Sequence, residues 1–190
     1  MGTEPIAAGK SSFNLVDFPL LTATLAVSAG ETLLDLGCGA GNYSLALAPL
    51  AHPGVIHAVD PWAAGVERLE QAAEDRGLTN IRPQVAAAGN LPLADGSIDL
   101  CLMATVFHDL VADGTDVGAL KEIGRVLAPG GRLAVVEFIA QEGPPGPPLA
   151  VRIGPEALVR RLQPSGFTQR SCADCGPHHY LSVFVRRDIA

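Results

Sequence analysis

The stretch Leu33-Leu34-Asp35-Leu36-Gly37-Cys38-Gly39-Ala40-Gly41 constrains this chain more than any other. An apolar run that stops at glycines spaced by single residues is how a buried parallel strand ends at a ligand-facing loop. The glycines let the backbone come close to a ligand, and the helix that follows offers free N–H groups at its start. A tight packing turn uses the same glycines, so context has to separate the two. That context is Asp60, which closes the next apolar segment roughly 20 residues further on, where a carboxylate can accept hydrogen bonds from both hydroxyls of a ribose. The competing role for Asp60 is to cap the helix beginning at Pro61.

The same order of strand, turn and helix recurs along the chain. Thr32–Leu36, Val55–Val59, Ile81–Val85, Ser97–Thr105 and Arg132–Phe138 read as strands. Asn42–Leu50, Ala63–Arg76 and Thr115–Leu127 read as the helices between them, with Gly77 as a C-cap and Ala128-Pro129-Gly130-Gly131 as a stop. Leu15–Val27 is an expected leading helix that Pro19 either begins or breaks. Beyond Phe138, Gly143 to Pro148 (GPPGPP) is a rigid loop, Pro155–Leu162 a helix, and Phe167–Cys172 with Tyr180–Arg186 a closing hairpin. The expected fold is α/β: one doubly wound, mostly parallel, seven-stranded sheet with helices on both faces and a C-terminal antiparallel hairpin. One domain over 1–190 is expected, with an N-terminal lid and helix in 1–30, a cofactor-binding core in 31–138 and the loop, helix and hairpin in 139–190.

Composition narrows the partners. At 190 residues, 48% hydrophobic and 17% charged, the chain can bury a core and has no compositional reason to be disordered. A net charge of −7 repels phosphate backbones, so no nucleic-acid partner is expected, and the doublets Arg160-Arg161 and Arg186-Arg187 read as surface charge. With neither a leader-like start nor a membrane-length apolar run, a soluble, cytoplasmic protein is expected. Cys38, Cys101, Cys172 and Cys175 read as reduced thiols. Cys172 and Cys175 with His178 and His179 raise the possibility of a zinc or redox site. Strand alternation separates the two cysteines and the histidines are adjacent, so a hairpin bend with free thiols is the simpler reading and no metal is expected.

Details of the loop bear on the ligand. A dinucleotide fingerprint spaces its third glycine for close helix packing under a pyrophosphate, whereas this loop runs Gly37-Cys38-Gly39-Ala40-Gly41-Asn42 with Asp35 before it. A methyl donor has no pyrophosphate. It carries an ammonium that needs carboxylate or carbonyl acceptors, which Asp35 and the loop carbonyls can supply.

With LLDLGCGAG, the acid in HAVDPW, NLPLADGSIDL and LKEIGRVLAPGGRLAVVEF in order from Leu33 to Phe138, the chain resembles class I S-adenosylmethionine-dependent methyltransferases. It is most similar to a small single-domain subgroup flanked by AGKSSF, VFHDL and GPPGPP. The resemblance implies the Rossmann-like methyltransferase fold, S-adenosyl-L-methionine as cofactor and S-adenosyl-L-homocysteine as product. It implies that Gly37, Cys38, Gly39 and Gly41 line the methionine end, with Asp35 supporting it, and that Asp60 holds the ribose. Pro61 and Trp62 would pack against adenine, a stacking contact worth about 1–3 kcal/mol. Asn42, Tyr43, Ala88 and Thr105 complete the implied cofactor set. One departure is Ala87-Ala88, where the family often carries an aspartate for the adenine amino group, so backbone groups such as the Ala88 N–H must serve.

Methyl transfer is an in-line displacement from a sulfonium, for which alignment and exclusion of water are the main tasks. If the acceptor must lose a proton, His108 and Asp109 after the fourth strand are the candidates. Alternatively Asp109 caps a helix opening there and His108 only packs. Lys10, Ser11, Ser12 and Phe13 are an expected substrate-side lid, with a solvated tail as the competing account. Arg152 is expected either to bind an acidic acceptor or to pair with Glu137. The expected partner is a small-molecule methyl acceptor, with no nucleic acid or membrane, for a monomer or homodimer. Two other functions compete: a non-catalytic protein binding S-adenosylmethionine or S-adenosylhomocysteine, and an NAD(P)-dependent oxidoreductase.

Overall fold

A strand whose residues are buried on both faces must be apolar throughout, and Leu33–Leu36 is buried along its whole length, with Asp35 its one polar member. This strand, β1, pairs in parallel with β2 (Ile56–Asp60) on one side and β4 (Ile98–Ala104) on the other. The computed structural model describes residues 9–186. Residues 1–8 of the expected lid segment, including the first residue of AGKSSF, and Arg187 of the second arginine doublet lie outside them.

The sheet has seven strands in the order β3-β2-β1-β4-β5-β7-β6, with β3 at Ile81–Val85, β5 at Leu127–Phe138, β6 at Phe167–Asp174 and β7 at His179–Arg186. β7 runs antiparallel to both β5 and β6, so the expected doubly wound sheet with a closing hairpin is what forms. Side chains alternate between two cores as the pleat requires. Leu33, Leu100, Leu102, Ala134 and Val136 face one layer, and Leu34, Leu36, Cys101, Met103, Leu133 and Val135 the other. The first layer is closed by α1 (Phe18–Leu25), α2 (Asn42–Ala51) and α3 (Ala63–Asp75). The second is closed by α4 (Phe107–Ala112), α5 (Asp116–Val126) and α6 (Pro155–Leu162).

Several local expectations need correction. The leading helix is shorter than Leu15–Val27: α1 starts at Phe18 after a 3-10 turn at Phe13–Leu15, and Pro19 sits in its first turn beneath the Asp17 cap, whose carboxylate accepts the Leu20 N–H at 3.0 Å. The fifth strand starts at Leu127 rather than Arg132, because Leu127 pairs with Ile98 before a bulge resets the register to Leu100 opposite Arg132. The helix considered at Asp109 is α4, and it opens two residues earlier, at Phe107. Asp109 sits within its first turn while Val106 is the cap residue, so Asp109 does not cap it. Among the described residues no helix is long and apolar enough to cross a membrane.

Candidate active site

Strand order reverses at β1, since the chain steps outward to β2 and β3 and then crosses to β4 on the opposite side. Open α/β sheets bind ligands at such a reversal, beyond the carboxyl ends of the strands. Here the ends of β1, β2 and β4 enclose a cavity of about 590 Å³, floored by Leu36, Val59 and Ala104.

The loop after β1 is shaped by glycine for two different reasons. Gly37 has φ +77°, and a Cβ there would lie 2.4 Å from the Val106 side chain. Gly39 has φ +54°, and a Cβ there would meet nothing within 4 Å because it would stand in the cavity. Gly41 is off the wall: it leads into α2, and its missing side chain makes room for Leu69 of α3. Asp35 is off the wall too. It lies 3% exposed beneath the loop and accepts the Ser44 hydroxyl at 2.6 Å, while burial pushes its pKa up to about 6 against the pull of that bond.

Asp60 joins the loops that follow β1 and β2. One carboxylate oxygen accepts the Gly39 N–H at 2.8 Å and the other the Trp62 N–H at 2.8 Å. α3 begins at Ala63 with Trp62 as its cap residue, so Asp60 does not cap it but ties the two loops together. With about four lone-pair positions, the carboxylate keeps acceptor capacity on the cavity wall. Pro61 and Trp62 continue that wall. The Trp62 ring lies against Gly65, where a Cβ would come within 2.2 Å of it, and the Arg68 guanidinium stands 5.0 Å from its centroid. Cys38 is also on the wall, and burial together with the charges of Asp35 and Asp60 pushes its thiol far above the usual range, so it is an inert neutral group. Ala86 to Gly89 supply backbone and methyl groups opposite.

Residues 9–12, among them Lys10, Ser11 and Ser12, form part of the cavity wall, and Ser12 is 4% exposed. Its hydroxyl meets the Tyr43 hydroxyl at 3.0 Å and accepts from the Thr105 hydroxyl at 3.2 Å. Phe13 faces away from the wall, its ring edge on to Tyr43 at 5.2 Å. Thr105 holds a left-handed φ of +57°, a conformation that costs a β-branched residue about 1–3 kcal/mol. Sequence reading could name Thr105 but had no signal for its strain or for the three-hydroxyl cluster.

The β4 and β5 ends carry the ionisable groups. Glu137 is wholly buried; its carboxylate accepts the backbone N–H of His108 at 3.0 Å and faces the ring Nδ1 at 2.9 and 3.1 Å. His108 is itself buried and off the cavity wall, while its Nε2 lies 3.5 Å from the Asp109 carboxylate, which is on the wall. Burial alone lowers the imidazole pKa, but the hydrogen bond and charge of Glu137 and the charge of Asp109 outweigh it and hold His108 above its ordinary value. Arg152 does not pair with Glu137. Its guanidinium donates to the carbonyls of Gly143, Pro145, Pro147 and Ile139 at 2.5–3.3 Å, which folds the proline-rich loop around it. In the hairpin, Cys172 is exposed while Cys175 and His179 are buried, and no cluster of three metal-ligating side chains occurs among the described residues.

Strand order and cavity together define a Rossmann-like α/β protein with a ligand site at its switch point. The chain belongs to the methyltransferase-domain family, whose model matches residues 34–135. An uncharacterized methyltransferase, YcgJ, from Bacillus subtilis is 33% identical over 129 residues, covering 67% of this chain and 49% of that protein. The chain spans about half the length of the curated relatives it matches. Among solved structures, a SAM-dependent methyltransferase from Aquifex aeolicus superposes with a TM-score of 0.84 at 24% identity, covering 92% of each chain. A geranyl diphosphate C-methyltransferase from Streptomyces coelicolor A3(2), in complex with Mg2+, geranyl diphosphate and S-adenosyl-L-homocysteine, superposes at 0.67 with 15% identity, covering 89% of this chain and 79% of that one.

Proposed function

We propose that the chain is a cytoplasmic, single-domain enzyme that transfers a methyl group from S-adenosyl-L-methionine to a small-molecule acceptor. The observation that carries this reading is the carboxylate of Asp60, fastened to Gly39 and Trp62 on the cavity wall, beside a glycine whose side-chain position is open. That wall fits an adenosyl group: Asp60 offers acceptors to the ribose hydroxyls, Trp62 a flat apolar surface to the base, and the Ala88 backbone its edge. Gly37, Cys38, Gly39, Asn42, Tyr43 and Thr105 then border the amino-acid end, with Asp35 and Gly41 shaping the loop from behind. The bound donor supplies an electrophilic methyl group on a sulfonium. The protein aligns it, and Lys10, Ser11 and Ser12 help to exclude water, with Phe13 behind them.

Isothermal titration with S-adenosylhomocysteine and NADH tests the donor site, and methyl transfer from labelled donor to a panel of metabolites tests the reaction. Binding of the adenosyl compound in preference to NADH, followed by turnover, is the expected outcome. Preference for NADH would replace this reading with the oxidoreductase, and binding with no turnover on any acceptor would replace it with the non-catalytic binder.

A further inference from the structure

Glu137, His108 and Asp109 come from two elements, yet the fold sets them in a line that ends on the cavity wall. Glu137 stands on β5 with no exposure, His108 on α4 beside it, and Asp109 next to His108 with its side chain 50% exposed. The order fixes what each can do. A substrate in the cavity cannot reach Glu137 or His108, because neither forms part of the wall. Both Glu137 oxygens lie within 3.1 Å of Nδ1, so that nitrogen carries a proton toward the carboxylate. The remaining ring nitrogen then faces Asp109 at 3.5 Å.

From this geometry, and resting on the donor-binding reading above, we propose that Asp109 is the catalytic residue that takes the acceptor's proton, with His108 and Glu137 as positioning residues acting through it. The acceptor is accordingly one whose nucleophilic atom bears a proton, a hydroxyl or an amine, and not a tertiary amine or thioether. In the step itself the acceptor's lone pair forms the bond to the methyl carbon and the carbon–sulfur pair returns to sulfur. The proton of the nucleophile passes to the Asp109 carboxylate. One methylated acceptor, one neutral thioether and one neutral carboxyl result, and charge balances because a sulfonium and a carboxylate are consumed together.

His108 has a part even though it touches no substrate. Burial lowers the ring's pKa, the Glu137 hydrogen bond and the charges of Glu137 and Asp109 raise it above its ordinary value, and with Nδ1 held by Glu137 the ring lies off the wall, out of the acceptor's reach. Its Nε2, 3.5 Å from the Asp109 carboxylate, fixes the face that the carboxylate turns to the cavity. The charged groups around the ring are Glu137 from β5, Asp109 from its own helix and Arg152 after the proline-rich loop, the last opposing protonation from a distance. On the far side of Phe138, His179 of β7 is packed 4.3 Å from that ring, and burial foremost lowers its pKa to about 4, so it adds no charge.

Two measurements on the full chain test this without a known acceptor. Nitrogen-15 NMR of the imidazoles, with S-adenosylhomocysteine bound, reads the His108 titration in wild type, Asp109→Asn and Glu137→Gln. Calorimetry compares S-adenosylmethionine, which is charged at sulfur, with S-adenosylhomocysteine, which is not. The expected result is a wild-type His108 pKa above the ordinary imidazole value that falls in each variant, since each removes a carboxylate that raises it. Asp109→Asn should also reduce the preference for the charged ligand by about 3- to 30-fold. Glu137→Gln disturbs a buried group that caps α4 and can fail to fold; the half-exposed Asp109→Asn then decides alone. A His108 that titrates in the ordinary range and ignores Asp109 overturns the proposal. So does a charged-ligand preference that survives Asp109→Asn, for Asp109 would then stand away from the reacting sulfur. Absence of any S-adenosylhomocysteine binding to wild type would instead remove the donor-binding reading, and the His108 titration would still judge the relay.

Discussion

The two ends of the cavity are made of different material. Around β1 and β2 the wall is largely backbone: a glycine loop, an alanine run opposite, and one carboxylate that accepts a main-chain N–H from each loop. Around β4 and β5 side chains reach one another across elements, Glu137 to His108 behind the wall and Thr105 to Ser12 on it. A backbone-built end suits a ligand that never changes, because its geometry follows from turn conformation and survives variation elsewhere. A side-chain-built end can be respecified by single substitutions.

The contrast predicts where damage falls. The largest effect is on turnover: Asp109→Asn should lower kcat about 10²- to 10⁴-fold with S-adenosylhomocysteine affinity little changed, read by labelled-methyl transfer to whichever acceptor the panel yields. Loss of affinity with unchanged kcat would place Asp109 at the donor end and erase the distinction. Next is Asp60→Ala, which removes charge-assisted bonds worth about 1.5–3 kcal/mol each and should weaken S-adenosylhomocysteine binding by about 100-fold or more. The far-ultraviolet circular dichroism should stay that of the wild type. Unchanged binding would mean that Asp60 only ties the loops together.

The same contrast explains what the sequence disclosed. The glycine loop, Asp60 and the strand alternation are local in the chain, so spacing reveals them, and the doubly wound sheet follows from repeating strand and helix lengths. Glu137 and His108 are 29 residues apart and meet only because β5 lies beside β4. Sequence spacing could suggest each as a site residue, but it offered Glu137 to Arg152, whose guanidinium the proline loop takes up instead. Burial was equally hidden: Asp35 sits in the most legible motif of the chain, yet no pattern of neighbours shows that it lies under the loop and not on the wall.

Asp35 gives the third prediction, and its sign is opposite to that of most carboxylates. Its folded pKa, about 6, lies above its ordinary 3.8, so the folded chain holds the proton more tightly than the unfolded one. Stability from this group is complete below pH 3.8, declines as pH rises towards about 6, and is level above that. The penalty at neutral pH is on the order of 3 kcal/mol. Urea unfolding should show that slope in wild type and a flatter profile in Asp35→Asn, which should be the more stable protein at pH 7. Should its S-adenosylhomocysteine affinity also fall, the buried charge belongs to the donor end despite lying off the wall. A profile unchanged by the substitution would mean that Asp35 is solvated by groups beyond Ser44.

The smallest expected effect tests whether the hydroxyl cluster couples the two ends. Tyr43 leads from the glycine loop, Thr105 ends β4, and Ser12 joins them from the amino-terminal segment on the cavity wall. Removing one neutral hydrogen bond costs about 0.5–1.5 kcal/mol, so Tyr43→Phe and Ser12→Ala should each weaken S-adenosylhomocysteine binding by about 2- to 10-fold, mainly through faster dissociation. The two losses should not add. If Ser12 holds the segment down through Tyr43, the double variant should lose little more than either single one, giving a coupling energy of about 0.5 kcal/mol or more. Strict additivity would mean that the segment is held by Phe13 packing and the Thr105 hydroxyl alone. The backbone-built and side-chain-built ends would then respond to ligand independently, with no bond through Ser12 to carry occupancy from one to the other.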